Sequence, residues 1–94
     1  MSSLKAEDVI RKSQRIVWET LDNEGVLLNL DNGNYFSLNE VGVAIWEELE
    51  GDASIQEVTC AIAKKYAIAY QEALPDVFLF IDMLLKRGLV QIKV

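Results

Sequence analysis

The sequence predicts one α+β domain, in which a three-stranded N-terminal antiparallel sheet is followed by three helices and a short C-terminal strand. Three observations lead to this fold class. The first third of the chain alternates β-branched and aromatic residues with Asp, Asn and Gly clusters typical of turns. The rest carries apolar residues at helical spacing, interrupted by Gly51 and Gly88. A length of 94 residues allows a single core.

The first two strands are predicted on either side of a polar turn. Residues 15–21 favour the first strand because they are rich in β-branched and aromatic side chains, and residues 22–25 supply turn chemistry. In the second strand, Val26, Leu28 and Leu30 share one face. The two segments therefore predict an antiparallel pair.

A third strand is predicted after the sequence Asp-Asn-Gly-Asn at 31–34, where Asn-Gly favours a type I′ hairpin turn. The same four residues resemble the start of a calcium-binding loop, but such a loop requires glycine at its sixth position, and that position is Phe36 here. In the strand, Phe36 and Leu38 should point to one face and Tyr35 and Ser37 to the other. One edge of this strand is expected to be unpaired.

Capping residues predict where the first two helices begin. Asn39 is a good N-cap for a helix that should end by Gly51. Ser54 and Glu57 have the spacing of a capping box, which predicts a second helix ending near Tyr66 or the next residue.

The third helix is predicted over about 71–87, with Pro75 in or near its first turn and Gly88 ending it. Residues 89–94 then form a terminal strand that could pair as a wing, so the expected architecture is similar to a winged helix-turn-helix. Residues 1–14 fit neither a clear strand nor a long helix and are expected to form a loosely ordered arm.

Composition excludes several classes of function. A net charge of −6 and a pI of about 4.5 disfavour nucleic acid and anionic lipid as partners. No secretory signal or stretch of 18 apolar residues is present, so no membrane span and a cytoplasmic location are expected.

The chain also lacks the usual catalytic residues. Without histidine it cannot form a Ser/His/Asp or Cys/His arrangement. The acidic residues Glu47, Glu48, Glu50 and Asp52 fall at the expected solvated face and end of the first helix. Its isolated glycines form no phosphate-binding loop. Cys60 is expected to be a buried thiol. We therefore expect no enzymatic activity, catalytic residue, metal or cofactor.

The third helix is apolar around more of its circumference than one core contact requires. The stripe expected to face the core consists of Val77, Phe78, Ile81, Leu84 and Leu85. A second, partly exposed stripe consists of Asp76, Leu79, Phe80, Met83 and Arg87. If the free edge of the third strand lies beside this second stripe, an extended peptide could add there as a new strand.

Several motifs, in this order, resemble the PqqD-like family of leader-peptide recognition elements in ribosomal peptide biosynthesis. They are Val26-Leu27-Leu28, Gly33 to Asn39, Gly42 to Glu47, Gly51 to Val58, Tyr66, Asp76-Val77, Leu84 and Gly88-Leu89-Val90. The resemblance implies a leader peptide lying antiparallel along strand three and against helix three. By position, it implies contacts from Tyr35, Phe36, Ser37 and Leu38, and from the stripe that contains Asp76, Phe80 and Met83.

A free-standing domain of this kind is most similar to the small B protein of lasso-peptide biosynthesis. That similarity implies that residues 15–94 form a peptide-binding domain, with a precursor peptide and a separate leader peptidase as partners. Three alternatives remain open at this stage. They are a PqqD-like chaperone for a radical-SAM or other modifying enzyme, a winged-helix nucleic-acid binder, and a structural oligomer subunit.

Overall fold

The computed structural model describes residues 4–93, which form two three-stranded antiparallel sheets and three helices. The strands are β1 (Val9–Lys12), β2 (Ile16–Leu21), β3 (Glu24–Asn29), β4 (Tyr35–Leu38), β5 (Ala53–Ser54) and β6 (Val90–Ile92). The helices are α1 (Glu40–Glu48), α2 (Ile55–Tyr66) and α3 (Tyr70–Lys86). The predicted α+β class and the three helices are confirmed.

The predicted N-terminal sheet is present with the order β2-β3-β4. The turn between β2 and β3 is tighter than expected, because Leu21 pairs with Glu24 and Asp22 adopts a positive φ of 56°. Gly25 therefore lies in the strand. A Cβ at this position would come within 3.0 Å of the Thr20 side chain, so the close approach of the strands favours glycine.

The β3–β4 connection is not the predicted type I′ turn. That turn needs two residues at positive φ, but only Gly33 has one, at 76°. The Asn29 N–H instead donates to the Asn34 carbonyl at 2.8 Å, which closes a four-residue loop. The Asn29 side chain accepts from the Asp31 N–H and donates to the Gly88 carbonyl, so contacts within and beyond the loop favour the longer connection.

The segment expected to be a loose arm contains β1, the central strand of a second sheet with the order β5-β1-β6. Ile10 pairs with Ala53 on one side and Ile92 on the other, and its side chain is fully buried. The expectation was therefore wrong for 9–12, because pairing with distant strands orders this short segment. Residues 1–3 of the expected arm and Val94 of the expected terminal strand lie outside the described residues.

The helices begin as their caps predict. The Asn39 side chain accepts from the Gly42 N–H at 2.9 Å, and Ser54 and Glu57 form both hydrogen bonds of a capping box. The hydrogen bonds from Ser54 lower the pKa of Glu57. Helix α3 begins at Tyr70, so Pro75 lies in its second turn, next to the first. None of these helices, within residues 4–93, is long and apolar enough to cross a bilayer.

One core joins all the elements. Its buried apolar residues are Ile10, Ile16, Leu27, Leu38, Val43, Ala44, Ile45, Trp46, Leu49, Ile55, Val58, Ile62, Ala63, Ala73, Val77, Ile81, Leu84, Leu89 and Val90. The predicted inner stripe of α3 is present, although Phe78 and Leu85 are only partly buried. Cys60 is exposed, which corrects the expectation of a buried thiol, because α2 turns Val58 and Thr59 inward instead.

Lys12 joins the two sheets through aromatic contacts. Its ammonium lies 4.4 Å from the ring of Trp18 on β2 and 4.5 Å from that of Trp46 on α1. The two rings meet edge to face, with their centroids 5.4 Å apart. Partial burial lowers the pKa of Lys12. This cluster fixes the β2–β3–β4 sheet against β1 and α1, and so helps to set the position of β4.

Candidate peptide-binding groove

Strand β4 is the edge of its sheet and has a backbone partner on only one side, within residues 4–93. It pairs with β3 in the register Leu27 to Phe36 and Val26 to Ser37. Helix α3 passes beside the unpaired edge, since the Arg87 guanidinium reaches the Tyr35 carbonyl. We call the surface between the open edge and α3 the β4–α3 groove.

Two residues of β4 direct their backbone groups toward the groove. The bond from the Asn29 N–H to the Asn34 carbonyl sets the alternation of the ladder. In an antiparallel pair every second residue bonds to the partner strand, so Phe36 bonds to β3 and Tyr35 and Ser37 face outward. The bond from Arg87 to the Tyr35 carbonyl agrees with this assignment. The N–H and C=O groups of these two outward-facing residues are therefore not bonded to β3 and can pair with a further strand, although the Tyr35 carbonyl also accepts the long bond from Arg87.

Aromatic side chains form the floor of the groove. The rings of Phe36 and Phe80 meet edge to face, with centroids 6.0 Å apart. Gly42 of α1 lies beneath Phe80, and a Cβ there would be 3.1 Å from that ring. The absence of a side chain at Gly42 therefore lets the Phe80 ring pack against α1.

A cation lies at one end of the groove. The Arg87 guanidinium is centred 5.4 Å from the Phe36 ring, and its Nη1 donates to the Tyr35 carbonyl at 3.4 Å. Asp76 lies on the same face of α3, three turns towards the helix N-terminus. The groove is thus apolar in the middle, with a positive group at the Tyr35 end and a negative group beyond Phe80.

The structure brings some of the predicted contact residues together and separates others. Phe36, Phe80 and Arg87 meet, and Met83, which is 39% exposed, lies between the last two on α3. By contrast, Leu38 is buried in the core. Leu79 is exposed beside Leu4 and Phe78, on the neighbouring side of α3.

The side chains of Tyr35 and Ser37 point to the outer face of the sheet, away from α3. A peptide in the groove could therefore contact Tyr35 and Ser37 only through their backbone N–H and C=O groups. That outer face carries exposed apolar side chains, with Val17 and Val26 each about half exposed and Tyr35 66% exposed.

Gly42 was missed as a residue that shapes the groove. The signal was present, because glycine is unfavourable inside a helix and its retention there often marks a close contact. The sequence does not say which ring makes that contact, since Phe80 is 38 positions away along the chain.

These features define a winged-helix-like α+β domain with an open strand edge beside an apolar helix face, an arrangement suited to binding an extended chain. Residues 24–90 match the sequence profile of the family described as coenzyme PQQ synthesis protein D (PqqD). The chain belongs to the PqqD family.

Solved structures show the same fold. TbiB1, solved in complex with the TbiA(beta) leader peptide, is 31% identical, and the match covers 89% of this chain and 98% of that one with a TM-score of 0.81. A lasso peptide synthetase B1 complexed with the leader peptide is 24% identical over 87% of this chain and 96% of that one, with a TM-score of 0.74.

The solution structure of the PqqD truncation of Methylobacterium extorquens PqqCD, described as a functional and stand-alone RiPP recognition element, is 16% identical. It matches over 95% of both chains with a TM-score of 0.78. A comparison with curated protein sequences gives no significant match.

Proposed function

We propose that this chain binds the leader region of a ribosomally synthesised precursor peptide as an added strand on β4. The observation that carries the proposal is the open edge of β4, with the backbone groups of Tyr35 and Ser37 facing α3. The complex of TbiB1 with a leader peptide supports it, because that protein shares 31% of its sequence and nearly all of its fold with this chain.

The peptide would run antiparallel to β4, with its N-terminal part beside Leu38 and its C-terminal part beside Tyr35. Four backbone hydrogen bonds to the edge would contribute about 2–6 kcal/mol in total. Association costs at least about 4 kcal/mol in lost freedom, so backbone pairing alone gives weak binding. Apolar side chains of the peptide must therefore be buried against Phe80 and Met83 to supply the remaining affinity.

In this arrangement the protein would assist peptide maturation without catalysing a reaction itself. A bound leader holds its attached core peptide near any enzyme that contacts this domain, which raises the effective concentration of substrate. We assign the enzyme as a separate maturation enzyme, a leader peptidase of lasso-peptide biosynthesis. Binding in the β4–α3 groove leaves the outer face of the sheet uncovered, so the peptide and an enzyme can be held together.

Nucleic-acid binding is a poorer fit to the same helix. A recognition helix presents Arg, Lys, Asn or Gln to base edges. The groove face of α3 presents Asp76, Phe80 and Met83 before Arg87, on a chain of net charge −6.

Substitutions at Ser37 test the added strand, because this side chain points away from the groove while its N–H points into it. Proline removes the N–H from the open edge, where it bonds to no other strand, whereas alanine keeps it. We expect Ser37→Ala to bind as the unaltered protein does. Ser37→Pro should bind at least tenfold more weakly, because a buried carbonyl of the peptide loses its donor.

The measurement is calorimetric titration with synthetic leaders from short precursor genes beside this one and with the TbiA(beta) leader. Equal affinity of the proline and alanine variants would place the peptide on another surface. Failure of every leader to bind would overturn the proposal itself. The delivery role would be wrong if the purified peptidase cleaves its precursor equally fast with and without this protein.

A further inference from the structure

Arg87 lies at the Tyr35 end of the β4–α3 groove, where its side chain contacts the open strand edge. It is the C-cap residue of α3, and its own N–H bonds to carbonyls of the last turn, which fixes the backbone from which the side chain extends. The guanidinium lies over the Phe36 ring and donates to the Tyr35 carbonyl over a long 3.4 Å. It is thus positioned by weak contacts that leave most of its donors unused.

Arg87 differs in its pairing from the other arginines. Arg11 and Arg15 each form an ion pair with an aspartate, at 3.1 and 2.6 Å respectively. The neighbouring Lys86 pairs with Asp82 at 3.0 Å. No carboxylate lies within 4 Å of the Arg87 guanidinium anywhere in residues 4–93. In a chain of net charge −6, this cation at the open strand edge is therefore available to pair with an acidic group from outside the chain.

A peptide strand on β4 would change what Arg87 contacts. The Tyr35 carbonyl faces the open edge and is the acceptor that a peptide N–H would take, in competition with the long bond from the guanidinium. The planar fork of the guanidinium matches a carboxylate with two parallel hydrogen bonds, which are shorter and stronger than a bond to a neutral carbonyl. Stacking on Phe36 would keep the fork in place as the carbonyl is released.

We propose that Arg87 is a specificity residue that selects an Asp or Glu side chain in the bound peptide, at a position beside Tyr35. This inference rests on the proposed function, since it takes the peptide to be a strand on β4. Because the peptide runs antiparallel to β4, the acidic residue lies on the C-terminal side of the apolar residues that pack on Phe80 and Met83. The groove thereby fixes both the register and the direction of the peptide.

The experiment is selection from a displayed library of random dodecapeptides against the full-length protein and two charge-reversed variants. Arg87→Glu reverses the charge in the groove. Lys64→Glu makes the same change in net charge on the exposed surface of α2 and serves as the control. Circular dichroism and thermal unfolding establish that each variant is folded before selection.

With the unaltered protein and the Lys64→Glu control, we expect Asp and Glu to be enriched at least fivefold at one position, C-terminal to the apolar residues. With Arg87→Glu, Lys and Arg should be enriched at that position instead.

Enriched peptides that lose binding to Ser37→Pro but show no acidic preference would overturn the role of Arg87 and leave strand addition intact. An acidic preference that survives in Arg87→Glu would overturn it as well. Recovery of no binding peptide at all would overturn both the proposed function and this inference.

Discussion

Phe80 lies between Phe36 of β4 and Gly42 of α1, so its ring contributes both to the core and to the floor of the groove. The sequence pattern placed it on the second, partly exposed stripe of α3. In the structure it is partly buried and packs against the core cluster. We therefore expect Phe80 to contribute both to stability and to the proposed peptide binding. At Met83, one turn further along α3, the side chain lies outside that cluster.

Phe80→Ala should lower the free energy of unfolding by about 1–3 kcal/mol, less than the cost of deleting a fully buried phenylalanine. It should also weaken leader binding, because the apolar floor is lost. Met83→Ala is the matched control, and we expect it to weaken binding while changing stability by less than about 1 kcal/mol. Urea unfolding and calorimetry measure the two effects. Equal stability of the two variants would show that Phe80 does not support the fold.

The elements of the fold are held together by contacts between segments that lie far apart in the chain. Asp52, just before β5, accepts hydrogen bonds from Arg11 of β1 at 3.1 and 3.2 Å and forms an ion pair with Lys93 at 3.0 Å. These donors lower the pKa of Asp52 from 3.8 to about 2. One carboxylate therefore links the N-terminal segment, the start of α2 and the C-terminus.

A lowered carboxyl pKa predicts the direction of a pH effect. The folded state favours ionised Asp52, so its stabilisation is present above the unfolded pKa of about 4 and is lost as the pH falls through about 2. Asp52→Asn should therefore be less stable than the unaltered protein at pH 7, with the difference shrinking below pH 4. Urea unfolding at pH 7, 4 and 2 measures this. A difference that stays constant down to pH 2 would contradict the assignment.

Across the whole molecule, what the sequence could predict was local. Caps at Asn39 and Ser54, turn glycines and periodic apolar residues act over a few positions, and the three helices and the β2–β3–β4 sheet followed from them. Strand β1 could not be predicted in this way, because its four residues include two charges and it is ordered by distant partners. Ile10, for example, pairs with Ala53 and Ile92, which are 43 and 82 positions away. Long-range pairing of this kind leaves no local pattern.

The candidate groove was predictable in outline, because the helix face that lines it has a local sequence pattern. Helical periodicity placed Asp76, Phe80, Met83 and Arg87 on one face, while their position beside β4 depended on tertiary packing. The helical period also explains why Cys60 is exposed, since it lies opposite the buried Val58 on the helical wheel. The register between β3 and β4 determines which groups of β4 face the groove. It directs the Tyr35 and Ser37 side chains outward and their backbone groups into the groove.

The most direct test of strand addition is amide hydrogen exchange, measured by NMR with and without a bound leader peptide. In the free protein, the amides of Tyr35 and Ser37 face the open edge and should exchange quickly, whereas that of Phe36 is bonded to β3 and should exchange slowly. A bound strand should slow exchange at both outward-facing amides by at least tenfold. Tight binding that leaves Tyr35 and Ser37 exchanging as before would contradict the central claim.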